Sequence, residues 1–299
     1  MTRPRSRTLF FALALTLSGG ALRAAPETAG TKTAKAKTKT AKAKAAAGAA
    51  PLAPAKIESL RQALMAPDEA AALDAAAALG SAGTSAARDP LVELLAAGAT
   101  PVRAQSALDA LAKLGDAHLL GKDPTATLEV LELYAGHRTP ELRRRAIKVL
   151  GEISDPRAVP TLMERLGDAA PDVRASAAEA LAGRGEIKAA PRMFALLKLG
   201  DAGVAAPLAT IATPDLIPQI AELAGTIDDG IVASALGEYV KRADVPDKLR
   251  IDVLRTIGRL SGAAATTALV EYVASVPTKD DRPSKHEAQK LLDARGTNQ

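Results

Sequence analysis

The chain has 299 residues, 47% of them hydrophobic but only 2% aromatic, with no Trp and no Cys. The lack of cysteine excludes disulfides, thiolate nucleophiles and Cys-ligated zinc. The net charge of +5 joins two unlike parts: residues 1–56 hold eleven Lys or Arg against one acid, Glu27, and residues 57–299 hold 28 against 33. The longer part is therefore mildly acidic, which excludes a general nucleic-acid binder of the basic kind.

The chain opens MTRPRSRTLFFALALTLSGGALRAAP, which has the three parts of a secretory signal. Arg3, Arg5 and Arg7 precede an apolar run from Leu9 to Leu17, and Gly19-Gly20-Ala21 or Ala24-Ala25 supplies small residues for cleavage. Residues 1–25 are thus predicted to be a signal peptide and the protein to be exported, to the periplasm or beyond. The apolar run is short for a bilayer, so no transmembrane span is expected in the mature chain, an uncleaved signal anchor being the rival reading.

Residues 26–56 are low in complexity and carry no bulky apolar side chain except Leu52. Such a segment buries too little surface to offset its ordering entropy and is predicted to be disordered. Lys32, Lys35, Lys37, Lys39, Lys42 and Lys44 lie within it. They either solvate a linker or tether the chain to a polyanion such as anionic lipid or a cell-wall polymer. No specific nucleic-acid partner is expected.

From residue 57 to 299 apolar residues recur three and four apart, the period of a helix. Much of that apolar content is Ala, which favours helix and close packing but buries little area per residue. Thr100-Pro101 and Thr139-Pro140 read as helix starts, Thr at the N-cap and Pro at the first helical position. The clearest stretch is 140–200, where two unlike helices alternate. Val102-Arg103, Leu142-Arg143, Val173-Arg174 and Leu249-Arg250 each open one of them. Four residues after each Arg stands Ala107, Ile147, Ala178 or Leu254, and seven after stands Ala110, Leu150, Leu181 or Ile257. Those offsets share one helix face. A helix pair with that face cannot bury it alone and must stack on its neighbours. The predicted fold class is all-α, an α-solenoid of antiparallel helix pairs over 57–299, with about fourteen or fifteen helices in six or seven repeats. After Leu199 the phase weakens, through short and Pro-interrupted segments.

This pattern resembles HEAT repeats, in the short bacterial form called PBS-lyase HEAT-like, over roughly residues 57–295. The resemblance implies a superhelix with an Asp in the turn six residues before the Arg, the two forming a ladder between repeats. Asp168 with Arg174 and Asp244 with Arg250 match it, whereas Arg143 has His137 at the Asp position and Arg103 has Ala97.

His118, His137 and His286 lie in separate segments without metal-ligand spacing, and His286-Glu287 lacks the second His of a zincin. Gly183-Arg184-Gly185 lacks the third Gly and the strand of a dinucleotide site. Asp228-Asp229 and Asp280-Asp281 sit where N-capping explains them. No catalytic residue, metal site or cofactor is predicted.

One surface cluster remains: His137, Arg138, Arg144, Arg145 and Lys148, with Arg143 assigned to the ladder. Pairs Glu141–Arg145 and Lys148–Glu152 at i,i+4 would make it structural, with Arg144 repelled by Lys148. Otherwise it docks an acidic partner. The leading expectation for function is an exported, non-catalytic scaffold that binds a protein partner on the solenoid surface. The alternatives are an enzyme or enzyme accessory of the HEAT-like lyase or hydroxylase type, and a polyanion tether through the Lys-rich tail.

Overall fold

The computed structural model describes residues 52–115, 118 and 123–296. The predicted signal peptide and the candidate tether lysines lie outside these residues. Every regular element described is helical. They are α1 (Pro54–Met65), α2 (Glu69–Gly80), α3 (Arg88–Ala96), α4 (Pro101–Leu114), α5 (Thr125–Ala135), α6 (Pro140–Glu152), α7 (Ala158–Arg165) and α8 (Pro171–Gly183). Beyond these come α9 (Ala190–Lys198), α10 (Ala205–Ile211), α11 (Leu216–Ala221), α12 (Asp229–Lys241), α13 (Asp247–Arg259), α14 (Gly262–Ser275) and α15 (Pro283–Gly296). Short 3-10 turns lead into α3, α9 and α10. The first helix starts at Pro54, three residues before the expected Ile57, because Pro at its first turn sacrifices no hydrogen bond.

Consecutive helices pack as pairs, and the pairs stack. The even-numbered helices α2, α4, α6, α8, α10, α12 and α14 form one row in which each packs on the next. On its other side α1, α3, α5 and α7 follow one another, and α13 packs on α15. Helix α6 shows why the row holds. Leu142, Ala146, Ile147, Val149 and Leu150 are all buried, a stripe wide enough to meet α4, α5 and α8 at once. Each buried Leu or Ile contributes about 1.5–3 kcal/mol. All eight stripe residues read from the sequence, Ala107 to Ile257, are buried.

Small residues set the spacing within the row. A Cβ on Gly80 of α2 would come within 2.7 Å of Ala110 of α4, one on Gly151 of α6 within 2.8 Å of Ala180 of α8, and one on Gly237 of α12 within 2.9 Å of Ala268 of α14. Backbones approach until only hydrogen atoms separate them, which is the use this chain makes of its alanines and glycines.

The row also corrects the repeat register after residue 200. The spacing of the arginines predicts that Leu249-Arg250 opens the same kind of helix as Leu142-Arg143. Instead α13 packs on α15 and α12 takes the place in the even row. The reason is local. Helices α10 and α11 have only seven and six residues, so the chain completes two elements in less sequence than a full repeat uses, and the phase shifts by one helix.

Candidate interaction surface

The turns that enter the even helices share one device. Asp68, Asp168, Asp201 and Asp228 each accept, through Oδ1, the N–H two residues ahead, on Ala70, Ala170, Gly203 and Gly230. This closes the turn and satisfies an amide that the helix leaves open. In the turn before α6 the position belongs to His137, and its Nδ1 accepts from the N–H of Thr139 at 3.0 Å. His137 therefore does the work of the aspartate, with its ring stacked on Tyr134 at 5.8 Å. Thr100 and Thr139 occupy N-cap positions as expected, but their side chains make no capping bond.

Arginines tie two of these turns to the repeat before them. Arg143 donates to both carboxylate oxygens of Asp168, from Nε at 2.8 Å and Nη2 at 2.6 Å. Its Nη1 reaches the carbonyls of His137 and Arg138 in its own turn. Arg174 repeats the pattern, with Nε 2.5 Å from Asp201 and Nη1 on the carbonyls of Asp168 and Ala169. Asp168 and Arg174 thus belong to neighbouring rungs and meet only through the Asp168 carbonyl. Arg103 lacks an aspartate and donates to the Pro67 carbonyl. Burial would raise the pKa of Asp168, but the hydrogen bonds from Arg143 and Ala170 and the charges of Arg143 and Arg165 outweigh it, so the carboxyl titrates below its ordinary range.

Asp244 and Arg250 do not form the expected rung. Asp244 is held by Arg242, from Nε at 3.0 Å and Nη2 at 2.5 Å, because Arg250 sits on the phase-shifted α13 and turns back to the end of α12.

A second set of arginines was missed in the sequence. Arg184, just after α8, donates to the carbonyls of Ile153 and Asp155 at the end of α6. Arg242, just after α12, donates to Ala209 and Ala212 at the end of α10. Arg295 near the end of α15 donates to Ile257, Gly258 and Leu260 at the end of α13. Each puts a cation on orphan carbonyls at the negative end of a neighbouring helix. The available signal was an arginine at a helix end, recurring at 184, 242 and 295.

The basic cluster is largely consumed. Arg144 chelates Glu141 at 3.0 and 2.8 Å. Arg145 reaches Asp109 of α4 and lies 2.8 Å from Glu141, close but not aligned for a hydrogen bond. Arg144 is therefore turned away from the Lys148 repulsion predicted for it, toward an acid three residues back. Arg138 and Lys148 remain exposed.

At the same edge of the stack stand two of the most exposed large apolar side chains, Leu133 near the end of α5 at 67% and Leu199 just after α9 at 84%. Beside Leu199 a cleft of about 410 Å3 is lined by Gly167, Arg174, Leu196 and Asp201. Among the described residues no group of three His, Cys, Asp or Glu could hold a metal ion, and no helix is long and apolar enough to cross a membrane.

Residues 127–212, which span α5 to α10, match the family of HEAT repeats. This segment is a HEAT-repeat array. Both complete Arg–Asp rungs among the described residues fall inside it. Among solved structures, the CpcE–CpcF complex of phycocyanin lyase from Nostoc sp. PCC7120 is 19% identical, with 83% of this chain and 97% of that one covered and a TM-score of 0.44. Kap121p bound to the extreme C-terminus of Cdc14p is 17% identical, with 87% of this chain but 32% of that one covered and a TM-score of 0.49. A designed armadillo repeat protein is 18% identical, with 80% and 99% covered and a TM-score of 0.38. No curated protein matches the chain. At these identities no activity carries over from one HEAT-like or armadillo chain to another.

Proposed function

We propose that the chain is an exported, non-catalytic scaffold that binds a protein partner along the edge formed by the turns entering its even helices. The observation that carries this reading is the exposure of Leu133 and Leu199 at that edge, with Arg138 exposed in the turn that enters α6. Large apolar side chains and an arginine left in water along one edge have the composition of a contact surface, an apolar anchor with a charged rim. The rungs behind them fix the turns, so a partner would meet a preformed surface and lose little entropy in ordering it. Export rests on the charged, apolar and small-residue regions of residues 1–25.

The test is position-specific. A photo-crosslinking side chain placed at residue 133 or 199 in living cells should give a discrete adduct, and one at Lys113, at the opposite end of an even helix, should give none. Absence of adducts at both leucines, or equal yield at Lys113, would remove the proposal. For export, the mature N-terminus should lie between Leu22 and Pro26. Recovery of the chain with its original N-terminus would point to the anchor instead.

A further inference from the structure

A cavity of about 600 Å3 lies among α12, α13, α14 and the segment leading to α15. Its walls include Val240, Val276, Pro277, Asp247, Arg250 and Arg282. Arg250 is 7% exposed. Two of its nitrogens are committed: Nε donates to the Val240 carbonyl at 3.0 Å and Nη2 to the Arg242 carbonyl at 2.6 Å. The third, Nη1, has no hydrogen-bond partner among the described residues, and its nearest carboxylate oxygen, Oδ1 of Asp247, is 3.8 Å away.

Both acids that line this cavity are drawn elsewhere. Asp247 accepts the Ser284 N–H at 3.1 Å and the Ser284 hydroxyl, and that hydroxyl in turn lies 2.5 Å from the hydroxyl of Tyr272. Asp280 is held by Arg282, with Nε at 3.0 Å. The carboxylates are thus fixed by the need to start α15, and the Nη1 edge of a buried guanidinium meets Asp247 only as a loose ion pair at 3.8 Å, with no hydrogen bond. Arg143 and Arg174, by contrast, each meet a carboxylate directly.

We propose that this cavity binds an organic carboxylate, received at Nη1 of Arg250. A planar monoanion suits a guanidinium edge, and the aliphatic part of a mixed wall, Val240, Val276 and Pro277, suits a small hydrocarbon group beside it. A phosphate dianion fits less well, because the fixed charges of Asp247 and Asp280 oppose a second negative charge in the same space. The carboxylate could come from a peptide C-terminus or from a Glu or Asp side chain, and the two are separable by experiment. The site stands apart from the turn edge and does not depend on the scaffold reading.

The experiment uses the full chain labelled at arginine, with the Nε–H resonance of Arg250 followed by NMR and assigned by its loss in Arg250→Lys. N-acetyl-leucine presents a terminal carboxylate, the α-amide of N-acetyl-glutamate a side-chain carboxylate, and N-acetyl-leucinamide neither. One or both acids should shift the resonance saturably, with the amide and inorganic phosphate at least about tenfold weaker. Ala243→Phe, at an exposed position on the cavity wall, should abolish the shift without disturbing the buried arginine or the helical signal. Equal binding of acid and amide, no saturable shift with either acid, or full binding in Ala243→Phe would overturn the proposal.

Discussion

Arg143 and Asp168 face each other across 25 residues as a two-point ion pair, with side chains only 13% and 3% exposed. Removing one member of a buried pair strands the other, at a cost of about 3–5 kcal/mol. Asp168→Ala should therefore lower the urea midpoint strongly, whereas Arg143→Leu combined with Asp168→Leu should cost less than Asp168→Ala alone. Additive losses in equilibrium unfolding would show that the pair is not coupled.

The same pair sets an acid response. The folded pKa of Asp168 is depressed by its Arg143 and Ala170 hydrogen bonds against the opposing effect of burial. A depressed carboxyl contributes stability above its unfolded pKa and loses it as the pH falls through the folded value. Stability should thus decline below the ordinary carboxylate range in the wild type, and Asp168→Asn should flatten part of that slope. Matching urea midpoints against pH for the two proteins would contradict it.

Arg184 is the test of the missed arginines. Arg184→Ala leaves the carbonyls of Ile153 and Asp155 without their donors, at about 1–3 kcal/mol for buried groups so exposed. Arg184→Lys should recover part of the loss, since a cation at a helix C-terminus keeps the dipole term. A thermal midpoint unchanged in Arg184→Ala would mean that water replaces the guanidinium without cost.

Gly151 and Gly183 should respond in opposite directions. A side chain at Gly151 runs into Ala180, while a methyl at Gly183 meets nothing within 4 Å. Gly151→Val should destabilise by about 1–3 kcal/mol from overpacking, and Gly183→Ala should be neutral or stabilise by about 0.5–1 kcal/mol. Calorimetry on both variants reads the contrast directly.

Arg138→Glu and Leu199→Ser bear on the proposed partner edge. Both side chains are exposed, so the circular dichroism and thermal midpoint should stay those of the wild type while crosslinking from residue 133 falls. Loss of fold in either variant would show a structural role instead.

The buried stripes were legible because helix periodicity is a local property, and Ile147 or Leu254 declares its face through neighbours three and four residues away. The Arg–Asp ladder was legible as a motif but not as a wiring. The six-residue spacing places Asp168 before Arg174, yet the carboxylate serves Arg143 in the preceding repeat, and Asp201 escaped notice because no arginine follows it at that spacing. The register beyond residue 200 was not legible. It depends on how much sequence α10 and α11 consume, and Pro207 and Pro218 shorten those helices without announcing by how much. Glu141 was legible as a local partner for Arg145 but is chelated by Arg144 at i,i+3, and Asp109, which takes Arg145, was not legible because it lies 36 residues away on another helix.

Every polar tie described between helix pairs reaches only the adjacent pair: Arg143 to Asp168, Arg184 to Ile153, Asp229 to Ser261, Arg295 to Ile257. No cord runs the length of the stack. Under tension applied at its two ends, such a chain yields pair by pair, and the extension released at each step is that of one helix pair. A load on α15 is resisted by its packing on α13 and α14 and by the ties at Ser284, Glu287 and Arg295, none of which reaches back as far as α4.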